Sequence, residues 1–132
     1  IYDADQNIEI RKSVIGGLSR RRSERAGNKL LEIARGADNI ELRKSAINGI
    51  ARRSGDQALD ILLSLYDTEK NEELRDQIIS SLSGSNDPRV VHKLIEIARN
   101  PQTPIERRKR AIGALSRSKD PEVLKFLEDL LK

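Results

Sequence analysis

Apolar residues along this chain recur every three or four positions, and no segment shows the strict alternation of a strand. Ile40, Leu42, Ala46, Ile47 and Ile50 form one stripe on a helix of 3.6 residues per turn. Val90, Val91, Leu94, Ile95, Ile97 and Ala98 form another. Short polar turns, "RRRSE", "RRSGD", "SGSND" and "SRSKD", follow segments of the first kind and precede those of the second. In the last three an Asp (Asp56, Asp87, Asp120) stands where a helix N-cap belongs, and Pro88 and Pro121 come directly after it. An Asp there accepts hydrogen bonds from free backbone N–H groups, and a proline has no N–H to leave unpaired.

The pattern is periodic on a longer scale. From Ile40 the chain reads "IELRKSAINGIARRSGD", and from Ile8 it reads "IEIRKSVIGGLSRRRSE", identical at nine of seventeen positions. Arg11, Arg43, Arg75 and Arg108 lie 32, 32 and 33 residues apart, and Leu18, Ile50, Leu82 and Leu115 keep that spacing. So do Leu30, Leu62, Leu94 and Leu127. The extra residue falls in "NPQTP", a loop by its prolines. The chain is therefore expected to be all-α, with eight helices in four pairs, each a helix A followed by a helix B. One pair cannot bury its own apolar face, so successive pairs stack into a solenoid, and the repeated text reflects that shared face.

The ends depart from the pattern. Ile1 and Tyr2 align with Leu65 and Tyr66, as the tail of a helix B from an earlier repeat. Near the other end Arg107 and Glu128 replace aliphatic residues at stacking positions, which a terminal capping repeat requires. The chain is expected to be the C-terminal part of a longer protein that ends near Lys132.

These residues resemble the HEAT repeat family in its short bacterial, PBS-lyase-like form. The resemblance rests on "NIELRKSAINGIARRSGDQALDILLSL", "NEELRDQIISSLSGSNDPRVVHKLIEIA" and "PIERRKRAIGALSRSKDPEVLKFLEDLL". The first copy departs most, with Glu24 at the Asp position and Gly27 where the others carry Leu or Val. The resemblance implies a right-handed α-α superhelix over residues 1–132, with repeats at about 5–36, 37–68, 69–100 and 101–132. It also implies a binding surface or scaffold, helix B lining the concave side.

Composition narrows the chemistry. Without cysteine there is neither disulfide nor thiolate. The single histidine, His92, cannot build a metal centre alone. No GxxxxGK[ST] or GxGxxG loop is present, and nothing places a base beside a chosen serine. No enzyme, cofactor or metal is expected, and no apolar run reaches the roughly 20 residues of a membrane span. The recurring arginines are read as structural, bonding carbonyls or an acid such as Asp3 or Asp67 in the neighbouring turn, because a planar guanidinium makes several bonds at once.

The net charge of +4 is unevenly spread. Helix-A bodies and A–B turns carry the basic excess, junctions between repeats are acidic, and helix B is nearly neutral. The expected partner is a protein or peptide, bound by a monomer across Arg25, Asn28, Lys29, Gln57, Asp60, Ile61, Arg89, His92, Lys93, Lys125 and Phe126. Ile61 and Phe126 stand where neighbouring copies have lysine, as exposed apolar anchors, unless Phe126 folds onto the last helix. The HEAT-like DNA glycosylases grip DNA on a basic concave face with aromatics near the lesion. An aromatic content of 2% disfavours that and base stacking generally. The alternative is electrostatic binding of nucleic acid or another anionic polymer, through the helix-A face and Arg20, Arg21, Arg22, Arg52 and Arg53.

Overall fold

Eight helices follow the predicted order in a computed structural model, which describes residues 7–53 and 56–132, the side chain of Asp56 apart. They are α1 (Ile8–Arg20), α2 (Glu24–Gly36), α3 (Ile40–Arg52), α4 (Asp56–Thr68), α5 (Glu72–Leu82), α6 (Pro88–Arg99), α7 (Ile105–Leu115) and α8 (Pro121–Leu130). Among the described residues there is no strand. The readings of Ile1, Tyr2 and Asp3 fall outside that range. So does the cap at Asp56, which stands as the first residue of α4.

Six of the helices begin where a short polar side chain closes free N–H groups. Asp87 accepts from Arg89 N–H and Asp120 from Glu122 N–H, with Pro88 and Pro121 as first helical residues. Helix A uses asparagine instead. Asn7 accepts from Glu9 and Ile10, Asn39 from Glu41, and Asn71 from Leu74. This second set of caps repeats at the 32-residue spacing, in "NIE", "NIE" and "NEE". Pro104, where the longer loop enters α7, makes no side-chain cap.

The helices divide into two compact units between Ser81 and Leu82. In the first, α3 packs on both α1 and α2. Its core is aliphatic, with Ile15, Leu30, Ile33, Leu42, Ile47, Ile50, Leu62 and Leu65 fully buried. Gly49 permits the close approach, since a Cβ there would meet Ser19 Cβ at 3.2 Å and Leu30 Cδ2 at 3.4 Å. In the second unit α6 packs on α7 and α8, and all six apolar residues predicted for its stripe are buried.

Three of the four recurring arginines share one job. Arg43 Nε donates to Ala34 O at 2.7 Å, Arg75 Nε to Glu69 O at 2.7 Å, and Arg108 Nε to Ala98 O at 2.9 Å. Each acceptor lies at or just past the C-terminal end of the preceding helix B. Carbonyls there lack intrahelical partners and sit at the negative end of the helix dipole. Glu69 is an acid that joins this network. Its carboxylate accepts from Arg43 Nη2 and from Asn71 N–H, and it is nearly buried. Arg75 also lies over the Tyr66 ring, 5.0 Å from its centroid.

The last repeat departs from the expected polar cap. Glu128 is exposed, but Arg107 is buried, because its place in the α7 stripe faces the core beside Ala111 and Leu115. Leu124, Leu130 and Leu131 are exposed instead.

Two outcomes follow from this network of caps. Arg43→Ala leaves the buried Glu69 carboxylate without its cation and should cost about 3 kcal/mol, read as a lowered melting temperature; an unchanged melting temperature contradicts the role assigned to it. The second concerns Asp87. The Arg89 side chain and then the Arg89 backbone N–H hold its carboxyl below 3.8, its ordinary value. Stability from the ionised cap is therefore present above that value and lost as pH falls through the lower folded value. An Asp87 titration followed by NMR should have its midpoint below 3.8, and a midpoint at or above it removes the argument.

Candidate functional site

Two surfaces of the first unit stand out once the structural arginines are set aside. The first lies on α2. Because Ala26, Leu30, Ile33 and Ala34 fill the buried side of this helix, Arg25, Asn28 and Lys29 are turned outward. Together with Leu18, Arg21, Ser23 and Glu32 they line a groove of about 570 Å³. Lys29 Nζ reaches Glu32 at 3.3 Å, which fixes one basic and one acidic group along its wall.

The second lies where the turn after α1 meets the end of α3. Ser19, Arg20, Arg21, Arg22, Arg52 and Arg53 line a cavity of about 640 Å³. Its members differ in what they already hold. Arg53 is a brace, with Nη2 donating to Ser23 O at 2.9 Å and Nη1 to Arg21 O. Its guanidinium occupies the space above Gly27, where a Cβ would come within 3.0 Å of Nη2. This accounts for the glycine at a position that is Leu59, Val91 and Leu124 in the other copies. Arg52 Nη2 stands 3.5 Å from Ser19 Oγ, whose hydroxyl donates to Gly16 O. Arg20, Arg21 and Arg22 are exposed, and no acidic residue lines the cavity.

Two lysines elsewhere on helix A have acidic neighbours. Lys44 pairs with Glu73 and lies 3.8 Å from Glu41, while Lys109 lies 3.6 Å from Glu106. The bond to Glu73 is the main reason the Lys44 ammonium is held above its ordinary value of 10.5.

The other predicted residues lie on α4, α6 and α8. Gln57, Asp60 and the half-exposed Ile61 sit on α4. In the second unit Arg89 is tied to Asp87, and the Lys93 side chain is 12% exposed and paired with Glu96. His92 Nε2 donates to Glu122 at 2.9 Å, and both line a cavity of about 580 Å³ with Ile95, Glu96, Arg99, Asn100 and Pro101. Lys125 is exposed. Phe126 is not an exposed anchor. It lies three residues after Val123, on the same side of α8, and both are buried. Arg99 covers its ring at 5.3 Å from the centroid.

Among the described residues no three His, Cys, Asp or Glu side chains gather as a metal site. No described helix is long and apolar enough to cross a membrane.

Tandem helical hairpins with grooves formed by helix-B side chains and by A–B turns define an all-α helical-repeat protein. A family model for HEAT repeats matches residues 27–109, more than half of the chain, which therefore belongs to the HEAT repeat family. Proteins built from these repeats commonly serve as interaction scaffolds and are typically not enzymes. Among curated proteins none matches the chain.

Gly27 offers a direct check on the brace. A helical Gly→Ala change ordinarily stabilises by about 1 kcal/mol. Gly17→Ala, with nothing within 4 Å of the new Cβ, should show that gain. Gly27→Ala should not, because it pushes Arg53 off its carbonyls. Equal rises in melting temperature for both variants contradict the brace.

Proposed function

We propose that the chain is a non-enzymatic protein-interaction module that takes an extended segment of a protein partner along its helix-B surface, at the α2 groove. The observation that carries this reading is the groove itself. Arg25, Asn28 and Lys29 share one face of α2 and line a single depression with an acidic wall residue, Glu32. Its volume lies in the range of ordinary ligand sites. Mixed charge beside the apolar edge of Leu18 suits recognition of a peptide by register, with polar groups setting specificity. The lack of a metal or nucleotide-binding motif in the sequence agrees with binding as the activity.

The test selects peptides from a random library against the whole chain and maps them by NMR. Amide shifts centred on Arg25, Asn28 and Lys29 are expected, and Asn28→Arg should weaken binding by about tenfold, or 1.4 kcal/mol. Selected peptides that shift only other surfaces, or bind Asn28→Arg equally well, overturn the reading.

A further inference from the structure

The arginine cavity has an internal control. The same turn occurs in the second unit, two repeats later along the chain. There the equivalents of Ser19, Arg20, Arg21 and Arg22 are Ser83, Gly84, Ser85 and Asn86, and those of Arg52 and Arg53 are Arg117 and Ser118. These six also line one cavity, of about 380 Å³. The helical hairpin therefore closes its A–B turn with serine, glycine and asparagine as readily as with arginine. Five arginines at the first site are not a requirement of the fold, although Arg53 has been put to use as its brace.

Like charges held together without acids repel one another and raise the local positive potential. Arg20, Arg21 and Arg22 lie on consecutive residues at the end of α1, and Arg52 approaches from the end of α3. They form a fork of planar donors converging from two helix ends, the arrangement that holds a carboxylate or phosphate through paired N–H bonds. No aromatic ring lines the cavity, so there is no platform for stacked bases. Arg21 lines both this cavity and the α2 groove. A peptide lying in the groove can thus deliver a side chain to the arginines.

We infer that the Arg20, Arg21, Arg22 and Arg52 cavity is a binding site for an acidic or phosphorylated residue of a peptide segment. Arg53 holds the turn in place beneath it. The inference rests on the protein-binding reading and adds the chemistry of the partner: adjacent carboxylates, or phosphoserine, beside the stretch that occupies the groove.

The experiment uses the full chain and measures fluorescence anisotropy with four probes. Three are one short peptide carrying in turn two phosphoserines, two glutamates or two serines; the fourth is oligothymidylate. The phosphorylated or the glutamate peptide, or both, should bind at least roughly tenfold more tightly than the serine peptide, and weaken as salt is raised. Which of the two binds tells phosphate from carboxylate. The paired change R21S/R22N installs the residues of the second unit's turn, so it should leave the melting temperature in place and abolish the preference. Equal binding of the serine peptide, a preference that survives R21S/R22N, or tighter binding of oligothymidylate overturns the inference. If library peptides still map to Arg25, Asn28 and Lys29 while R21S/R22N has no effect, this inference alone fails and the groove stands.

Discussion

The bond from a helix-A arginine to the last carbonyls of the preceding helix B is the contact on which the repeat depends. The end of an α-helix leaves carbonyl oxygens without partners, and burying them bare is costly. An arginine can reach across from the next hairpin, bond a carbonyl through Nε and still have its two terminal nitrogens for other work. Arg43, Arg75 and Arg108 all do so, and Arg43 also holds Glu69. The interaction is directional where aliphatic packing is not. Leu and Ile stripes bring hairpins together; the arginine selects the register in which one hairpin meets the next.

That division of labour separates charges that serve the fold from charges left for a partner. The fold absorbs the ladder arginines, Lys44 and Glu69, and uses Arg53 as a brace. The α1–α2 turn keeps three consecutive exposed arginines, and the corresponding turn of the second unit does without them. A repeat protein allows this comparison within one chain. Positions under the same backbone constraint differ only by what each copy has been free to add.

The helix count, the order of elements, the Asp caps at Asp87 and Asp120 and the aliphatic core were legible in the sequence. These depend on local spacing and backbone chemistry, which neighbouring residues carry in full. The Asn caps of helix A were equally local and could have been read from their period. The candidate site was legible only as residue types. Arg20, Arg21, Arg22, Arg52 and Arg53 could be picked out as a basic set, but their convergence on one cavity depends on α1 and α3 ending side by side.

Residues whose role depends on a partner far along the chain could not be assigned by pattern. Glu69 lies in the junction after α4, and only the folded path of the loop brings it to Arg43. Arg107 reads as a surface cap until α7 is packed, when its place in the stripe buries it. Phe126 reads as an anchor until α8 turns its Val123 side inward and Arg99 closes over the ring. The sequence by itself determined the helices, their caps and the repeat, because each is settled within a few turns of chain. Which charges are spent inside the fold and which remain on its surface was decided by the tertiary structure, because that depends on distances between residues roughly one repeat apart.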